Sequence, residues 1–261
     1  MPHRTTIAAA SLLAATAAAG ACTYAALSAQ SQIFGKVLIA PPKTNEIALT
    51  YDDGPNDDAT ERLLELLARH NTRATFFMIG RFVLERPHIA RAVAAAGHLI
   101  GNHTQTHPWL AWQSEARIRE ELTACNNALE DTLGAPIHYF RPPHGARRPA
   151  VLRIARELGL TTVQWNLLVQ DWKPVDAATI AFRIATGITR NQQRHRATNL
   201  LLHDGGHTGL GQPRLPTVEA TALILNQYKS AASFVTIESW FPPAHPISST
   251  GSIPESRANQ S

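Results

Sequence analysis

Short apolar runs rich in β-branched and aromatic residues alternate with longer amphipathic runs from residue 44 to about residue 237, and this alternation limits the fold more than any single motif does. The strand-like runs are residues 46–51 (EIALTY), 73–79 (RATFFMI), 98–103 (HLIGNH), 137–141 (IHYFR), 161–167 (TTVQWNL), 198–203 (TNLLLH) and 233–237 (SFVTI). Helical patterns lie between them, at residues 57–70, 87–96, 114–133, 148–158, 177–189 and 216–228. In the first helix Leu63, Leu64, Leu67 and Ala68 recur at helical spacing, and Asp57 and Asp58 precede them where an N-cap and the helix dipole favour carboxylates. Parallel neighbours need crossover connections, so strands separated by helices predict an α/β fold with a mostly parallel sheet. The pattern alone fits an open sheet or a barrel.

The chain has 261 residues, 44% hydrophobic and 17% charged, which suits one large globular domain or two small ones, and no boundary marks a second. The net charge of +4 is spread over scattered Lys and Arg, with no basic arm interleaved with aromatics, so nucleic acid is excluded as a partner. Arg4 is followed by a charge-free run from Ile7 to Ala29. This is the pattern of an export signal, either cleaved near Leu27-Ser28-Ala29 or retained as a membrane anchor, since about 20 apolar residues span a bilayer. Cys22 would be lost with a cleaved signal, which would leave Cys125 as a small core residue without a partner. Residues 243–261 are rich in Pro and Ser, and a disordered tail is expected there.

The polar residues that stand out follow the strands. The first strand runs into Asp52-Asp53, the third into His103 and His107, and the fourth into Arg141-Pro142-Pro143-His144-Gly145. The fifth leads to Asp171-Trp172, and the sixth to His203-Asp204. In a parallel α/β fold these strand ends share one face, where such folds build active sites. Asp-Asp-Gly-Pro on its own reads as a turn. The H-x-x-x-H spacing of His103 and His107 lets two imidazoles reach one ion, and no Glu follows the first His as it does in zinc proteases. Two His and one carboxylate form a common catalytic zinc shell with a position left open. Neighbouring Asp side chains on an extended chain point to opposite sides. One aspartate is therefore expected to bind the metal and the other to act as a base, with the cation relieving their repulsion. His207 and Asp204 match no ligand position.

TYDDGP, HTQTHP, RPPHG, DW and LLLHD stand in the order of the five motifs of the polysaccharide deacetylases, the carbohydrate esterase family 4 enzymes with a NodB homology domain, and the chain resembles that family over roughly residues 44–240. The resemblance implies a distorted (β/α)7 barrel, a catalytic domain over residues 31–242 and a signal or anchor over residues 1–30. It implies a hydrolase of linear amides that removes acetyl groups from N-acetylglucosamine-containing glycans such as peptidoglycan or chitin. Asp52 would be the general base, and Asp53, His103 and His107 would hold one divalent ion, zinc or a relative such as cobalt. Arg141 would hold Asp52, His203 would be the general acid, and Asp171 would bond to Arg141 or to His203. Tyr51, Pro143, His144, Gly145, Trp172 and Leu201 are expected around substrate and oxyanion, with the His144 N–H as oxyanion donor and Trp172 and Leu201 against the acetyl methyl. Tyr51 replaces the usual Phe, and His144 the usual Tyr. A monomer acting on a polysaccharide outside the cytoplasm, secreted, periplasmic or membrane-anchored, is expected. An O-acetyl esterase on xylan and a catalytically silent sugar-binding relative are the alternatives.

Overall fold

All eight strands belong to one parallel sheet in the computed structural model, which describes residue 16 and residues 19–243. They are β1 (Glu46–Gly54), β2 (Thr75–Met78), β3 (Leu99–Asn102), β4 (Tyr139–Phe140), β5 (Thr161–Thr162), β6 (Leu167–Leu168), β7 (Thr198–His203) and β8 (Ser233–Val235). Their order is β5-β4-β3-β2-β1-β7-β6, with β8 beside the start of β1. The central strand β1 is buried from Ile47 onward, as expected where helices cover one face and the curl of the sheet encloses the other. Its register with β7 pairs Ile47 with Thr198 and runs rung by rung to Asp52 opposite His203.

The sheet curls into a half-barrel. The edge strands β5 and β6 do not pair with each other, and residues 38–41 cross the gap. Leu38 donates its N–H to the Thr162 carbonyl and accepts from Gln164, at 2.9 and 2.7 Å, and the Pro41 carbonyl accepts from Ala197 at 2.9 Å. The Asn199 side-chain amide donates to the Ile39 carbonyl at 2.8 Å. Alternation along the strands divides the core. Leu49, Tyr51, Phe76, Met78, Leu200 and Leu202 pack outward against the helices, whereas Ala48, Phe77, Tyr139 and Val163 pack within the curl.

The expected helices form, as Ala59–Arg69, Pro87–Ala95, Glu115–Leu133, Pro149–Glu157, Ala177–Gln193 and Leu215–Tyr228. Ser114 caps the long third one by accepting from the Arg117 N–H at 3.2 Å, and left-handed Gly134 ends it. Asp58 differs from expectation. It stands at the N-cap but makes no cap bond, and its carboxylate accepts from Arg62 at 2.6 Å instead. The run at 161–167 splits into β5 and β6, and a short helix, Gly80–Glu85, forms where none was expected.

Residues 19–27 are helical, and the segment after them docks on the body. Arg147 is buried among carbonyls: its guanidinium donates to those of Gly145, Ser28 and Ser31 at 3.0, 2.9 and 2.6 Å, and its backbone N–H to that of Ala26 at 3.0 Å. The structured body thus begins before residue 31. Among the described residues no helix is long and apolar enough to cross a membrane. The first part of the run read as a signal, up to residue 18 apart from residue 16, and the tail from residue 244 lie outside the described residues. Cys125 is buried and free, as expected of a core residue, and Cys22 is exposed.

Candidate active site

β1 delivers both of its aspartates to the same cavity. The ladder with β2 pairs Asp52 with Phe77 and Gly54 with Met78, which leaves Asp53 as an extra, bulged residue with φ of 73°. Strict alternation would have turned Asp53 outward beside Tyr51; the bulge turns it back. The expectation that the neighbouring side chains face opposite ways is therefore corrected. Both carboxylates are buried and both line a cavity of about 350 Å³ at the carboxyl ends of the strands. Gly54 follows because a Cβ there would stand 2.3 Å from the buried Asp204 carboxylate.

Asp53 Oδ1 lies 3.2 Å from His107 Nε2 and 3.4 Å from His103 Nε2, yet this buried oxygen has no hydrogen-bond partner. Ligands bonded at about 2.0–2.1 Å around a tetrahedral ion stand about 3.3 Å apart, so the donor set fits a divalent metal. His103 Nδ1 is 2.8 Å from the Arg141 carbonyl, which accepts a hydrogen bond from Nδ1–H and leaves Nε2 as a lone-pair donor facing the aspartates. Burial alone would raise the Asp53 carboxyl. The neighbouring His103, His107 and His203 outweigh it and hold Asp53 well below the usual carboxylate range. Burial, helped by the neighbouring His103, pushes His107 down to about 2, so it is a neutral donor.

Arg141 is wholly buried at the bottom of the site. Its Nη1 donates to Asp52 Oδ1 at 2.8 Å and to Thr50 Oγ1 at 2.7 Å, and its guanidinium lies over the Phe77 ring at 4.2 Å. Asp171 reaches the histidine rather than Arg141. One of its oxygens is 2.9 Å from His203 Nδ1, while the other accepts from the His203 N–H at 2.8 Å and from Thr217 at 2.9 Å. Burial would lower His203; the charge and hydrogen bond of Asp171, with Asp53 and Asp52 nearby, raise it to about 9. At neutral pH it carries a proton.

Trp172, Leu201 and His144 line the cavity as expected, and Trp172 meets the His203 ring edge-on at 5.0 Å. Tyr51 does not. It faces the helices, stacks on Phe76 and hydrogen-bonds Thr221 at 3.0 Å, because the alternation that brings Asp52 inward turns Tyr51 outward. Pro143 and Gly145 are buried outside the cavity lining, and the Gly145 carbonyl serves Arg147 and Gln164. Both support the loop and are misplaced as substrate contacts. Sequence reasoning missed Trp165, inside the run read as one strand, and Leu168, just past its end, which line the wall because that run breaks there. It also missed His207. That ring stacks on His107 at 4.6 Å, and Asp53, His107 and His207 offer donor atoms within 4.8 Å of one another.

The family model described as polysaccharide deacetylase matches residues 40–163. A peptidoglycan-N-acetylglucosamine deacetylase of Bacillus cereus is 34% identical over 204 residues, which cover 77% of this chain and 70% of that protein. Among solved structures, the Bc1960 peptidoglycan N-acetylglucosamine deacetylase superposes with a TM-score of 0.71 at 32% identity, covering 80% of this chain and 93% of that one. A family 4 acetyl xylan esterase from Clostridium thermocellum, in complex with a cobalt ion, gives 0.66 at 32% identity over 75% of this chain and 90% of that one. The parallel half-barrel with its helices is the fold they share.

Proposed function

The chain belongs to the polysaccharide deacetylase family, and from that membership we propose that it is a metal-dependent N-deacetylase that removes acetyl groups from N-acetylglucosamine units of a peptidoglycan- or chitin-type glycan. The observation that carries this reading is the convergence of Asp53, His103 and His107 on one point, with Asp52 and His203 on facing rungs beside it. Those three residues would hold the ion, and their nitrogen and oxygen donors suit zinc. Bound there, a divalent ion supplies Lewis-acid polarisation of the acetyl carbonyl and makes water more acidic.

The chain's own residues supply the proton transfers. Asp52, held by Arg141, takes the proton of the attacking water. The His144 N–H faces the developing oxyanion. His203 gives its proton to the amine as the C–N bond breaks, and acetate and a free amino sugar leave. Trp172, Leu201, Leu168 and Trp165 provide an apolar wall for the acetyl methyl. No covalent intermediate is needed.

The test is acetate release from chitooligosaccharides and from cell wall. Asp52→Asn is expected to lower kcat by about 10²- to 10⁴-fold while the protein keeps its metal. An Asp52→Asn protein as fast as the parent removes the base from the mechanism. His103→Ala is expected to lose the metal itself. The likeness to an acetyl xylan esterase supports a second reading, O-deacetylation of xylan, which uses the same groups with an alcohol as leaving group. Acetylxylan and chitooligosaccharides assayed in parallel separate the two. The charge-free run from Ile7 to Ala29 supports action outside the cytoplasm, after export or at a membrane anchor, and cell fractionation tests that placement.

A further inference from the structure

Asn56 joins the two ends of the loop that follows β7. It stands two residues beyond β1 and is buried. Its side-chain amide donates to the Asp204 carbonyl at 3.0 Å and to the Gln212 carbonyl at 2.9 Å, and its amide oxygen accepts from the Gly211 N–H at 2.7 Å. Both amide hydrogens and the oxygen are thus used on one loop. Asn56 is fixed in turn: its own N–H donates to Thr60 Oγ1 at 2.9 Å, and that hydroxyl donates to the Asp204 carboxylate at 2.6 Å. The loop has little shape of its own, since residues 205, 206, 209 and 211 are glycines and His207, Thr208 and Gly211 are exposed. Arg214 and Arg81 hold its first half, at the Gly205 and His207 carbonyls, and its return at 211–212 is bonded to the body through Asn56. Joined ends make this a compact surface loop of the Ω type. Gly206, His207, Thr208, Gln212 and Arg214, all on it, line the cavity beside the aspartates and His203.

We propose that Asn56 is a positioning residue for the glycan: it fixes the return of this loop so that Thr208, Gln212 and Arg214 stand as a preformed polar wall for the sugar hydroxyls around the reacting acetamide. A hydroxyl, a carboxamide and a guanidinium supply the donors and acceptors that a polyhydroxylated ring takes up. A loop that is already ordered spares the glycan the cost of ordering it, so the clasp acts on binding and not on the proton transfers. This role rests on the deacetylase reading above.

The experiment compares the metal-loaded parent with Asn56→Ala and Gly211→Pro. The proline removes the N–H that Asn56 accepts and forbids the φ of 71° found there. It does so at an exposed residue with open space around it, so it loosens the clasp from the loop's side without touching the core. Each protein is assayed on chitooligosaccharides, on soluble cell-wall fragments and on 4-nitrophenyl acetate, an ester that brings an acetyl group without a sugar. Hydrogen exchange is followed in the peptide 205–212. Both variants are expected to raise KM for the glycan about tenfold with kcat and the ester rate within about twofold of the parent's. Their loop amides are expected to exchange faster. Glycan KM and loop exchange like the parent's in both variants overturn the inference and leave the deacetylase reading standing. Equal losses on ester and glycan overturn it too, because Asn56 then supports the whole centre and not the loop. A parent that releases acetate from neither glycan overturns the reading above, and this role with it.

Discussion

Asp171 decides the charge of His203. Against burial, it raises the imidazole from 6.5 to about 9, with help from Asp53 and Asp52, so the folded protein holds a proton there that an unfolded chain sheds earlier. The stabilisation from this proton is fully present below about 6.5 and is lost as pH rises through about 9. Removing the carboxylate as Asp171→Asn lowers the imidazole. The alkaline limb of kcat/KM is then expected to move to lower pH, and a pH profile that keeps the parent limb refutes His203 as the acid. Arg141 sets a second test. Arg141→Met would leave the buried Asp52 charge without its partner, and the expected cost is about 3–5 kcal/mol of stability, read in a denaturant melt. At this scale much was legible, because Asp52, Asp53, His103, His107, Arg141 and His203 follow predicted strands and do meet. His207 was not legible, since its position depends on how one glycine-rich loop folds back over Asp53.

Among the elements, β1 does the most for the site through its bulge. A strand could be read from ALTYDDG, but the extra residue could not, because it is imposed by the rungs of β2 that pair Asp52 and Gly54 with consecutive partners. Read without it, alternation places Asp53 on the wrong face. Asp53 sits at φ 73°, a left-handed conformation that Asn and Asp tolerate better than other side chains. Asp53→Asn is therefore expected to abolish tight metal binding and leave the melting temperature of the metal-free protein near the parent's. Asp53→Val should lower that temperature as well, by a further penalty of about 1–2 kcal/mol. Calorimetry of the metal-free proteins checks both. The break between β5 and β6 was hidden for a related reason. TTVQWNL has the composition of one strand, yet Gln164 and Asn166 bond to Leu38 and Asn199 rather than continuing a single ladder.

At the scale of the molecule, the parallel α/β layout followed from crossover logic, but the way the curl is bridged did not. Residues 38–41 carry no strand signature, and they span the gap only because β5 and β7 leave carbonyls and amides facing it. The preceding segment matters to the same body through Arg147. A chain beginning at Ile33 lacks the Ser28 and Ser31 carbonyls and would leave a buried cation short of acceptors. It is expected to be about 3 kcal/mol less stable than one beginning at Ser28, a drop of about 6–12 °C in Tm. Equal melting curves for the two chains would show that the docking contributes nothing. The facing of Asp52 and His203 has a wider consequence. Their backbones are spaced by the gap between two hydrogen-bonded strands, about 4.8 Å, and that spacing does not depend on any loop. The giver and the taker of protons are gauged by the backbone itself. Lengthening or shortening the loops can then change which glycan is admitted without altering the span over which its amide is cut.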